Sequence, residues 1–103
     1  MREKKPGAPG ERRGPLFRLG QVVGTPGALQ ALTEAGQQPA EFLARHVTGD
    51  WGDLCDEDKE ENELSVEQGF RILSAYKLQS GGKVWVITEA DSSATTILLP
   101  DEY

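Results

Sequence analysis

The sequence predicts an α+β fold in the order β-α-α-α-β-β-β, an antiparallel sheet with its helices packed on one face. Three observations carry this expectation. Two apolar patterns with helical spacing, each opened by proline in the first helical position, follow a short strand-like run near residue 20. From residue 70 onward the period shortens to two, and turn-forming clusters at 79–82 and 91–93 cut that region into three strands at hairpin spacing. Between the two halves lies a single acidic stretch, 49–63. At 103 residues the chain makes one domain with one modest core.

Residues 1–15 (MREKKPGAPGERRGP) combine proline, glycine and charge with no periodicity. They cannot bury enough apolar surface to offset their ordering entropy, so a disordered tail is expected, with the domain occupying 16–103. Through Arg18, the basic Arg2, Lys4, Lys5, Arg12, Arg13 and Arg18 face only Glu3 and Glu11, a net +4. Such an arm could touch nucleic acid weakly by counterion release. No aromatic residue is interleaved with the charges, and a solubilising leader is the plainer reading.

Residues 16–23 (LFRLGQVV) alternate as a strand, with Phe17, Leu19 and Val23 on one side, and stop at Gly24. Thr25 then caps a helix that has Pro26 first, Ala28, Leu29, Leu32 and Ala35 as its apolar side, and Gly36 as terminator. A second helix begins at Pro39. Phe42, Leu43, His46 and Val47 form its buried stripe, while Glu41 near the start and Arg45 near the end suit the helix dipole.

The acidic stretch GDWGDLCDEDKEENE follows. Its eight acidic residues are Asp50, Asp53, Asp56, Glu57, Asp58, Glu60, Glu61 and Glu63, and with Lys59 alone opposing them the segment carries −7, against −6 for the whole protein. Asp53 is the expected N-cap of a third helix, with Asp56, Glu57 and Asp58 in its first turn. Only Leu54, Leu64 and Val66 offer it an apolar side, so a surface helix is expected. The three strands then run over 70–78, with Phe70, Ile72, Tyr76 and Leu78 on one face, over 83–89 and over 94–99, where Pro100 ends the last.

Candidate chemistries are few. His46 and Cys55 could form a nucleophile pair, but no pattern supplies an orienting group or an oxyanion donor. One cysteine and one histidine cannot make a tetrahedral zinc site. An EF-hand loop begun at Asp56 would place Asp58, Glu60 and Glu67 at ligand positions, but Glu61 falls where the turn needs glycine. The turn Gly24-Thr25-Pro26-Gly27 sits where phosphate loops occur, yet it lacks the P-loop lysine, and Pro26 removes an amide donor. No cofactor, metal site or catalytic set is therefore expected. The lone Cys55 suits a reducing, cytoplasmic setting, and the sequence has neither a membrane-length apolar run nor a signal-peptide core.

The motifs FRLGQVV (17–23), TPGALQAL (25–32), ARHVTGDWGDL (44–54), ENEL (61–64), LSAY (73–76) and ITEA (87–90) carry a resemblance. On these residues the chain resembles a family of small bacterial proteins found on plasmids and integrated mobile elements, described as plasmid-related proteins or, by automatic naming, as type I restriction endonuclease subunit M. The resemblance spans about residues 16–103 and leaves out the basic tail. It implies a shared fold and a mobile-element setting, and the family brings no established activity. The restriction-subunit label fails physically, because a methyltransferase needs a cofactor domain with a glycine-rich loop and a separate catalytic motif.

Two functional readings remain. The first is a small accessory protein that acts by protein–protein contact. The second is an acidic DNA mimic that blocks a DNA-binding, restriction-like enzyme with carboxylates placed like phosphates. The contact candidates are Trp51 with Asp50 and Asp53, and Trp85 with Ile87. Trp51 is expected to pack on the domain, the alternative being an anchor that faces a partner. In KVWVITE (83–89), Val84, Val86 and Thr88 point one way and Trp85 and Ile87 the other, so both faces are apolar. Three short helices cover only one of them. The face bearing Trp85 and Ile87 is therefore the expected contact surface, with a second copy of the chain as one occupant.

Overall fold

The computed structural model describes residues 14–103. The expected tail, residues 1–15, lies outside the described residues apart from the exposed Gly14 and Pro15. The elements are β1 (Gln21–Gly24), α1 (Pro26–Ala35), α2 (Pro39–Val47), α3 (Asp56–Gln68), β2 (Ile72–Lys77), β3 (Lys83–Thr88) and β4 (Ala94–Leu98), closed by a 3-10 turn at Pro100–Glu102. The fold is α+β in the expected order, with the helices on one side of a four-stranded sheet. Among the described residues no helix is long and apolar enough to cross a membrane.

The sheet order is β1-β4-β3-β2. Strands β2, β3 and β4 form the antiparallel meander, whereas β1 runs parallel to β4, so the sheet is mixed rather than wholly antiparallel. Parallel neighbours need a long crossover, and the three helices between β1 and the meander supply one. Strand β1 is also shorter than its sequence pattern. Gly20 adopts φ +65°, where a Cβ would strike the backbone of Ser92 and Ser93, and this bend ends the extended chain before Phe17 and Leu19 can join the ladder.

Local signals account for the first two helices. Thr25 Oγ1 accepts the Ala28 N–H at 3.1 Å, Pro26 follows it, and Gly36 closes α1 in the left-handed conformation. Ala28 and Leu32 of α1 and Phe42 of α2 pack on Tyr76, Leu78, Val84, Val86 and Ile97 to form the core. Helix α3 departs from expectation at both ends. Its N-cap is Cys55, not Asp53, whose side chain is drawn to Lys77 and Lys83 and whose N–H pairs with the Ala75 carbonyl. Its buried residues are the polar Asn62 and Ser65, while Leu64 is exposed. Phe70, expected in β2, is 53% exposed because its N–H returns to the Ser65 carbonyl as part of the α3 stop.

Candidate functional site

The loop between α2 and α3 is built around Asp50. Its carboxylate accepts Arg45 Nε at 2.7 Å and the Gly52 N–H at 3.2 Å, and its carbonyl accepts the Tyr76 hydroxyl at 2.6 Å. Arg45 also lies over the Tyr76 ring at 4.4 Å, and the Asp50 carboxylate raises its pKa. Burial pushes the Tyr76 hydroxyl up, so it remains a neutral donor. These bonds turn Trp51 inward, where it is 3% exposed and donates Nε1–H to Glu63 of α3 at 2.9 Å. Trp51 is therefore a packed ring, and it does not present an aromatic face to a partner. Asp53 stays outside, paired with Lys83 at 3.1 Å and Lys77 at 3.8 Å, and the Lys83 bond leads the effects that lower its pKa.

Behind Trp51, His46 is fully buried, with the Phe17 ring edge-on at 5.1 Å and Trp51 at 6.1 Å. Its Nδ1 meets Ser74 Oγ at 2.6 Å and its Nε2 meets Thr88 Oγ1 at 2.9 Å. Thr88 Oγ1 lies 2.7 Å from Thr95 Oγ1, which lies 2.7 Å from the Leu19 carbonyl. The chain of bonds has one direction, because a carbonyl can only accept. Thr95 must donate to Leu19, Thr88 to Thr95 and His46 Nε2–H to Thr88, which leaves Nδ1 of the neutral ring to accept from Ser74. Burial lowers the His46 pKa to about 3, in agreement with the neutral form. Cys55 is exposed, whereas both His46 nitrogens are spoken for inside the domain, so the two do not meet as a nucleophile and base.

The outer edge of β2 is closed by its own chain. Asn62 Nδ2 donates to the Leu73 carbonyl at 2.7 Å and Asn62 Oδ1 accepts the Leu73 N–H at 3.2 Å. Two residues on, the Ala75 N–H donates to the Trp51 carbonyl at 3.1 Å and the Ala75 carbonyl accepts the Asp53 N–H at 2.6 Å. Gly52 thereby forms a parallel bridge to Ala75. This explains why GDWGDL, apart from any ligand, needs glycine between its tryptophan and second aspartate. Gly52 has φ +79°, and a Cβ there would overlap the Ala75 carbonyl oxygen.

Trp85 and Ile87 point away from the helices, beside Ala75, Leu73 and Leu98 in the strand register. Ile87 is 3% exposed, so it forms the floor of this face and does not project from it. Trp85 is half-buried, its ring 5.6 Å from that of Tyr103. Tyr103 is itself 67% exposed, and Arg71 Nη1 donates to its hydroxyl at 2.6 Å. Arg71 also reaches Glu89 at 3.5 Å. The helix-free face therefore ends in a Trp-Tyr-Arg cluster. Sequence reasoning found Trp85 and missed Arg71 and Tyr103: Arg71 alternates in phase with Leu73 and Ala75 but is charged, and Tyr103 lies beyond the last strand, so no apolar pattern marks either of them.

The phosphate-loop-like turn is filled from within. Glu102 Oε1 accepts the Thr25 hydroxyl at 2.7 Å and the Leu99 N–H at 2.8 Å, and the carboxylate lies over Gly27 at the start of α1. The Thr25 bond leads the effects that lower the Glu102 pKa. Among the described residues, no three histidine, cysteine, aspartate or glutamate side chains converge to hold a metal ion. Compared with family models, curated proteins and solved structures, the chain matches none.

Proposed function

We propose that the chain is a small accessory protein of a bacterial mobile element and acts by protein–protein contact, not catalysis, through the helix-free face of its sheet. The supporting observation is the half-buried Trp85 beneath an exposed Tyr103 that Arg71 holds in place. Tryptophan, tyrosine and arginine are the residues whose truncation most often weakens an interface, and here they adjoin a packed apolar floor that includes Ile87. The mobile-element setting rests on the resemblance carried by GDWGDL and ENEL. A cytoplasmic site of action accords with the lone Cys55. Capture from a bacterial lysate followed by mass spectrometry tests this reading. Trp85→Ala and Arg71→Ala should each lose the proteins that the wild type retains, while melting as folded domains. An unchanged set of captured proteins would count against the reading.

The DNA-mimic reading draws on α3, whose exposed flank presents Asp56, Glu57, Asp58, Glu60, Glu61 and Glu67. One 13-residue helix extends only about 20 Å, short for a duplex footprint. A restriction-protection assay tests it: reversing these charges should abolish protection if the helix stands in for phosphates.

A further inference from the structure

The two edges of the sheet are treated differently. On β2 every outward backbone group of Leu73 and Ala75 is bonded by Asn62, Trp51 or Asp53. On β1, Gln21 and Thr25 turn their N–H groups toward β4, donating to the Ser93 and Ile97 carbonyls at 3.0 and 2.9 Å. Strand alternation then points the N–H and C=O of Val22 and Gly24 outward, and among the described residues no strand pairs with that side. Val22 and Val23 are each 43% exposed, and Leu29 of α1, which lies over Gly24, is 42% exposed. The strand carries no charged residue and no proline, the usual guards of an open edge.

We propose that β1 is a pairing edge for a second copy of this chain, joined antiparallel about a two-fold axis at Val23. The pairing matches Val22 of each chain with Gly24 of the other and places four backbone hydrogen bonds between them. The register (Val22 beside Thr95, Gly24 beside Ile97) puts Val22 and Gly24 on the helix side. Gly24 has no side chain, and Leu29 lies against the position its Cβ would take. Leu29 thus covers Gly24, and Val22 of one chain packs against Leu29 of the other, while the two Val23 side chains meet on the opposite face. Like-charge repulsion does not oppose this arrangement. Helix α3 packs at the β2 edge, three strands from β1, so edge pairing through β1 holds the two acidic helices at least about 30 Å apart, several screening lengths. The contact is small, so the dimer is weak and concentration-dependent.

Sedimentation of the full chain from about 10 µM to about 1 mM tests the proposal. The wild type should pass from monomer toward dimer across that range. Val22→Pro removes only an outward N–H and should raise the dissociation constant about tenfold or more. Val22→Lys, which keeps the backbone and sets like charges side by side, should do the same and serves if the proline variant melts early. In a Cys55→Ser background, Val23→Cys should form an intermolecular disulfide, because residues opposed in a non-hydrogen-bonded pair lie close enough. Trp85→Ala should leave the dimer intact, which separates this edge from the contact face proposed above. A chain that is monomeric at about 1 mM, or a dimer that survives both Val22 variants, would overturn the proposal.

Discussion

Asn62 holds Leu73 by both backbone groups, its amide donating to the carbonyl at 2.7 Å and accepting the N–H at 3.2 Å. A side chain of α3 thus acts as one residue of an extra strand and, with the bond from Trp51 to Glu63, ties a helix with a polar buried side to the sheet. Asn62→Ala should leave these Leu73 groups without their bonds and cost about 1–3 kcal/mol, a fall of several degrees in Tm. Leu64→Ala, on the exposed side of the same helix, should fall within about 0.5 kcal/mol of wild type. Thermal melts of the two variants check the contrast, and equal losses would remove Asn62 from this role.

Trp51 bridges Phe17, His46 and Glu63, and its ring is nearly enclosed. Trp51→Ala should lower stability by about 3–5 kcal/mol. Trp51→Phe keeps an aromatic body but loses the bond to Glu63 and part of the ring volume, so it should lie between wild type and Trp51→Ala. Chemical denaturation measures both, and an alanine variant as stable as wild type would show that the ring packs on nothing.

Gly52→Ala should be more damaging than its size implies. The backbone there has φ +79° and the new methyl group would meet the Ala75 carbonyl oxygen, so the bridge to β2 must open. Hydrogen exchange at the Ala75 and Asp53 amides should quicken in this variant and stay slow in Gly82→Ala, where φ is not positive and a Cβ meets only Leu78 at 3.9 Å.

His46 makes stability depend on pH in a defined window. Its folded pKa, about 3, lies below the ordinary 6.5, so the unfolded chain takes up the proton first as pH falls. The stabilising effect of the neutral ring is complete above about pH 6.5 and is lost progressively from there toward pH 3, by about 1.4 kcal/mol per unit. Phe17, Trp51, Ser74 and Thr88, which surround it, carry no charge to offset this. The lowered carboxyls of Asp53 and Glu102 lose their contributions only below the usual carboxylate range. Denaturation between pH 7 and pH 5 should therefore show a slope that His46→Gln removes; a slope retained in that variant would assign it elsewhere.

Helix starts and the meander were legible because each depends on neighbours in sequence: Thr25 before Pro26, Gly36 after Ala35, the 79–82 turn between two alternating runs. The inward turn of Trp51 was legible too, from glycine and aspartate on both sides of it. What escaped depends on partners far along the chain. Asp53 reads as a cap until Lys77, Lys83 and Ala75 are brought beside it, and Asn62 reads as one polar residue among many until Leu73 lies opposite. His46 sits on an apolar stripe, but Ser74, Thr88 and Thr95 lie on three separate strands, and no local pattern announces that they join one chain of hydrogen bonds through its ring. The parallel pairing of β1 was hidden for the same reason.

The central claim is that the Trp85 face, not the acidic helix, meets the partner. Hydrogen exchange of the chain alone and bound to a protein it captures from lysate tests this most directly. Contact through the face predicts added protection in β3 and in the segment around Arg71 and Tyr103, with α3 unchanged. Protection confined to α3, with β3 unaffected, would contradict it and favour the DNA-mimic reading.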